Sequence, residues 1–74
     1  MNILKATDPF RLFRKDSSKT EWHYRAIHKN GKRIDFQIKK ASPLFEEFLG
    51  KQFATISADI EAARHARKIF GVTQ

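Results

Sequence analysis

Glu21-Trp22-His23-Tyr24-Arg25-Ala26-Ile27-His28-Lys29-Asn30-Gly31-Lys32-Arg33-Ile34-Asp35-Phe36-Gln37-Ile38-Lys39 is the stretch that decides the fold. Two runs rich in aromatic and β-branched residues flank Asn30-Gly31. Such runs favour strands. Asn-Gly is the preferred centre of a two-residue type I′ turn, in which both positions take φ > 0. The reading is a β-hairpin, Glu21 to His28 against Lys32 to Lys40. With a two-residue turn, Lys29 faces Lys32, Ile27 faces Ile34, Arg25 faces Phe36 and His23 faces Ile38. Side chains alternate along a strand, so the faces follow from the register. Ile27, Ile34, Phe36 and Ile38 then make the core face. Trp22, Tyr24, Ala26, His28, Arg33, Asp35, Gln37 and Lys39 make the outer one, basic and polar with two large aromatics set in it. A one-residue bulge would shift part of this partition.

Downstream, Ser42-Pro43 opens a short helix. Pro suits the first helical position, and Glu46-Glu47 lie near the positive helix start. Leu44, Phe45, Phe48 and Leu49 form its apolar side, and Gly50 caps it. Lys51 to Thr55 reads as a connector, with a short strand at Gln52–Thr55 as one option. A last helix runs from about Ser57, a fitting N-cap, to Phe70, with Gly71 as its stop. Ile60, Ala62, Ala63, Ala66, Ile69 and Phe70 fall on one half of its wheel; Glu61, Arg64, His65 and Lys68 fall on the other. Upstream, residues 1–20 form a basic arm with one candidate strand at Phe10, Leu12 and Phe13, followed by a polar loop, Asp16–Thr20. Residues 21–74 form a single small domain. The fold class is α+β: an antiparallel hairpin or three-stranded sheet, a short helix, and a C-terminal helix packed on one sheet face.

The chain has 74 residues, enough for one domain. It has no cysteine, which excludes a disulfide, a zinc-thiolate site and a cysteine nucleophile. That suits a reducing compartment, and a cytoplasmic location is expected. No apolar run approaches the roughly 18 residues of a membrane span, and Met1–Lys5 has no secretory character. Fifteen Lys+Arg against eight Asp+Glu give a net charge of +7, and hydrophobic residues make up 41%. The apolar content is too high for a disordered basic tail. The charge makes a field that attracts polyanions.

The basic-aromatic face is therefore the candidate site for nucleic acid. Arg33 has the geometry to read a guanine edge, and Gln37 an adenine edge. Trp22 and Tyr24 suit base stacking. His28 and Lys39 share that face. Lys29 and Lys32 flank the turn, and Arg11 and Arg14 on the arm suit a groove. The same residues also suit a solvated charged face whose aromatics pack beneath the arm.

Trp22-x-Tyr24-Arg25, Asn30-Gly31, Lys32-Arg33-Ile34-x-Phe36 and Asp59-Ile60-Glu61-Ala62-Ala63-Arg64 occur in an order that resembles the sheet-plus-helix DNA-binding domains of tyrosine integrases (arm-site binders) and of plant ethylene-response factors. The likeness covers roughly residues 20–70. It implies a three-stranded sheet entering the major groove with a helix behind it, and Trp22, Tyr24, Arg33 and Lys39 on the DNA face. The short Pro43–Gly50 helix departs from that pattern, since it lies where a third strand would follow. The chain departs from the integrase pattern also in having no attached catalytic domain, so a stand-alone accessory or regulatory factor is expected, and a phage- or plasmid-type protein suits the length.

The function expected is non-enzymatic nucleic-acid binding, double-stranded DNA ahead of RNA, by a monomer or homodimer without a cofactor. A protein-binding inhibitor or adaptor, docking through Trp22 and Tyr24, is the second reading. A toxin-like ribonuclease using His23, Tyr24, Arg25, His28 and Arg33 is the third, although no carboxylate is evidently paired with a histidine. No metal site is expected of His23, His28 and His65: His23 and His28 fall on opposite faces of one strand, and no HxxxH pair occurs on a helix.

Overall fold

The computed structural model describes residues 3–72. The elements are β1 (Phe10–Arg14), β2 (Glu21–His28), β3 (Arg33–Lys39), α1 (Pro43–Leu49) and α2 (Lys51–Phe70). The strands form an antiparallel sheet in the order β1-β2-β3, and α2 lies across one face of it. The class is α+β, with the arm supplying the third strand.

The hairpin register differs by one residue from that expected. Tyr24 faces Phe36, Arg25 faces Asp35, Ala26 faces Ile34 and Ile27 faces Arg33. The loop has three residues, Lys29-Asn30-Gly31. Gly31 N–H donates to the His28 carbonyl at 2.9 Å, and His28 N–H donates to that of Lys32 at 2.7 Å. Among the described residues only glycines take positive φ, Gly31 at 95°. Asn30 therefore cannot sit in a type I′ turn, which needs two positive-φ residues. The arrangement matches the three-residue hairpin that ends on a positive-φ glycine.

Burial explains why this register wins. In both registers Ile34, Phe36 and Ile38 point inward from β3. The expected one would have added His23, Arg25 and Ile27 from β2. The observed one adds Trp22, Tyr24, Ala26 and His28, and so removes far more apolar surface from water. Ile27, expected in the core, is exposed, whereas Tyr24 and Ala26 are fully buried.

Helix α2 meets this face with Ala54, Ala58, Ala62 and Ala66, one every four residues, all buried. Residues at that spacing share one helix face, and their small side chains let the helix axis approach the sheet closely. Tyr24, Ile38, Ala58 and Ala62 form one core cluster. Phe10, Ala26 and Ala66 form a second, with Phe70, Leu4 and Val72 packed around it. The stripe begins at Ala54, so the helix starts at Lys51 rather than at Ser57, and the expected connector or strand at Gln52–Thr55 is helical. Ala62, Ala63 and Ala66 are buried as expected, while Ile60 and Ile69 are exposed.

Helix α1 forms where expected. The Ser42 side chain accepts from Phe45 N–H, and Pro43 occupies the first turn. Gly50, at φ 93° and ψ 147°, separates α1 from α2. None of α1's residues is buried, so Leu44, Phe45, Phe48 and Leu49 are not the core face that their spacing suggests.

The arm is fastened by an ion pair. Arg67 donates to both Asp8 carboxylate oxygens, at 2.9 and 2.8 Å, and Lys5 N–H donates to the same carboxylate at 2.7 Å. Side-chain exposure is 1% for Asp8 and 7% for Arg67. The Arg67 guanidinium holds the Asp8 carboxyl below the usual carboxylate range, and Asp8 in turn raises Arg67.

Candidate nucleic-acid interface

Strand alternation places Arg11 and Phe13 of β1, His23, Arg25 and Ile27 of β2, and Arg33, Asp35, Gln37 and Lys39 of β3 on the face opposite α2. Paired residues form rows across the sheet. Arg11, Ile27 and Arg33 make one row, and Phe13, Arg25 and Asp35 the next. His23 pairs with Gln37, and Glu21 with Lys39. Phe13 and Ile27 are exposed apolar side chains among the cations.

The charges are not equivalent. Arg25 Nε lies 2.8 Å from Asp35 Oδ1, and Lys15 Nζ lies 3.9 Å from the same atom. The Arg25 hydrogen bond lowers the Asp35 carboxyl below its ordinary range. Among the described residues Arg11, Arg33 and Lys39, with Lys29 and Lys32 in the loop, make no ion pair. Arg11 and Arg33 stand at one level on the two outer strands. Two strand spacings separate them, about 10 Å, close to the major-groove width of about 12 Å. Their side chains lie on the open face at the two edges of the sheet.

Of the residues singled out from sequence, Arg11, Arg33, Gln37 and Lys39 lie together on this open face, with Lys29 and Lys32 at its end. Four others do not. The register places Trp22, Tyr24 and His28 on the α2 side, and Arg14 belongs to that side as well. Tyr24 donates to Asp59 Oδ1 of α2 at 2.5 Å. Burial first, and Asp59 second, push its phenol well above the ordinary tyrosine value. Arg14 donates to both oxygens of Asp59, at 3.2 and 3.0 Å. Arg14 and Lys40 stand over the Trp22 ring, their charged groups 5.0 and 4.3 Å from its centroid. His28 meets the Phe70 ring edge-on at 5.0 Å.

Phe13, His23, Arg25 and Ile27 lie on this face although the sequence placed none of them there, and Lys15, expected as a cation of the basic arm, reaches Asp35 on it. The signal was available: of the two registers, only one turns both Trp22 and Tyr24 toward α2. The ribonuclease candidates divide between the faces, His23, Arg25 and Arg33 on one, Tyr24 and His28 on the other. No group of three or more His, Asp or Glu with metal-binding geometry occurs among the described residues, and no helix of theirs is long and apolar enough to cross a membrane. Compared with protein-family models, curated proteins and solved structures, the chain has no match.

Proposed function

We propose that this protein binds nucleic acid, double-stranded DNA ahead of RNA, through the open face of its sheet, as a non-enzymatic accessory or regulatory factor. The observation that carries this reading is the row Arg11–Ile27–Arg33. It sets two unpaired guanidiniums on opposite sheet edges, across an exposed apolar centre, on the face that α2 leaves uncovered. Sheet ribbons enter the B-form major groove, whereas the deep, narrow major groove of A-form RNA does not admit them. Gln37 and Arg33 have the donors that read adenine and guanine edges. The remaining cations neutralise phosphates.

The test is fluorescence anisotropy with a labelled duplex, and with single-stranded DNA and duplex RNA of the same sequence, at rising salt. Duplex DNA should bind most tightly, and affinity should fall steeply with salt. Arg33→Ala should weaken binding about tenfold, the loss of about 1–3 kcal/mol typical of a base-edge arginine. Absence of binding to all three at low salt would exclude the function. Tighter binding to RNA would exclude the choice of DNA.

A further inference from the structure

Leu44, Phe45, Phe48, Leu49 and Phe53 lie within ten residues at the junction of α1 and α2, and every one of them is exposed. Phe48 is 86% exposed and Leu44 77%. Together the five expose about three whole residues' worth of surface, on the order of 600 Å² at about 200 Å² each. That equals the largest apolar patches found on monomers, about 300–600 Å², which are themselves often functional. An N-cap bond from Ser42 and a proline start hold α1 in place, so the apolar side chains are displayed on a defined element.

We propose that this corner is the interface of a homodimer with two-fold symmetry. Its size is the first reason. A stable interface buries about 800 Å² per partner, and the apolar patch with a polar rim reaches that figure. Charge is the second. A chain of net +7 repels its own copy over most of its surface. Residues 42–63 are the exception, with four carboxylates and one lysine, while the rest of the chain has fourteen cations against four acids. The groove beside α1 is lined by Glu46 and Glu47 together with Lys19, Lys39, Lys40 and Lys51. A two-fold axis through Phe48 would set the acids of each copy against the lysines of the other, the self-complementarity that an isologous contact requires. The proposal does not depend on nucleic-acid binding, because this corner shares only Lys39 with the proposed DNA face.

Sedimentation of the full chain from about 1 to about 200 μM tests it, since dimer formation rises with concentration. The wild type should pass from monomer to dimer, and Phe48→Glu should weaken dimerisation at least 100-fold with an unchanged circular dichroism spectrum. Leu44→Lys, at a second exposed position, should do the same and stands in for Phe48→Glu if that variant does not fold. The chain has no cysteine, so Phe48→Cys introduces one thiol. Mild oxidation should convert that variant to a covalent dimer much faster than Thr7→Cys on the arm. A monomer at every concentration would overturn the proposal and leave the patch to a different protein. A dimer undiminished in both charge variants would overturn the choice of this face.

Discussion

Replacing Asp8 by Ala would leave the Arg67 guanidinium buried without its partner. Removing one member of a buried ion pair costs about 3–5 kcal/mol, because the other charge stays desolvated and unpaired. At about 0.05–0.15 kcal/mol per residue, a chain of this length has about 4–11 kcal/mol in total. The single change should therefore remove about a quarter or more of the stability. Urea denaturation followed by circular dichroism measures it. With a slope of about 1 kcal/mol/M for so small a protein, the midpoint should fall by about 3–5 M. Asp8→Leu combined with Arg67→Met removes both charges and should recover most of the loss, since apolar replacement of a buried pair is often neutral. The acid limb gives a second readout. The folded Asp8 carboxyl titrates below its unfolded value of about 3.9. Its contribution is thus complete above that pH and disappears as pH falls through the lower folded value. In Asp8→Ala that part of the acid destabilisation should be absent. A cost under about 1 kcal/mol, or a double variant no better than the single one, would refute the argument that a desolvated guanidinium depends on this carboxylate.

Tyr24→Phe removes the hydrogen bond to Asp59 but leaves Arg14 on that carboxylate, so unfolding should become easier by about 1 kcal/mol. Spectrophotometric titration of the wild type should show phenolate forming only well above the ordinary tyrosine range, because burial and Asp59 both oppose ionisation. Gly31→Ala forces a side chain into φ 95° and should cost about 1–2 kcal/mol in thermal or chemical unfolding.

Much of the architecture was legible in the sequence because local chemistry fixed it. The two hairpin strands, the Ser42-Pro43 start and the Gly50 and Gly71 stops each depend on a few neighbouring residues. The register did not. Asn30-Gly31 fits both a two-residue and a three-residue loop, and the choice lies in what each buries, which is a property of the sheet and α2 together. The start of α2 was hidden for a similar reason. Phe53, Thr55 and Ile56 have strand character, and only the alanine stripe seated on Tyr24 and Ala26 shows that residues 51–56 continue the helix. Arg67 lies in the last turn of α2, where a cation is usual. Its partner Asp8 is 59 residues away, and no local pattern links them. Six of the ten candidate residues keep a place on or beside the open face, and on β3 Arg33, Gln37 and Lys39 stay outward because that strand kept its orientation. On β2 every side chain changed face, and Arg25 and His23 replaced Trp22 and Tyr24.

The central claim is that cations on the open sheet face, and not the aromatics on the α2 side, bind nucleic acid. Measuring duplex-DNA affinity against salt for the wild type, Arg11→Ala/Arg33→Ala and Trp22→Phe tests it most directly. The double variant should bind more weakly and lose about one from the slope of log affinity against log salt, for the phosphate contact of Arg11, while the loss of Arg33 lowers affinity through the base edge. Trp22→Phe, folded and on the other side of the sheet, should keep the wild-type slope and affinity. An unchanged slope in the double variant, or a loss of binding in Trp22→Phe alone, would contradict the account.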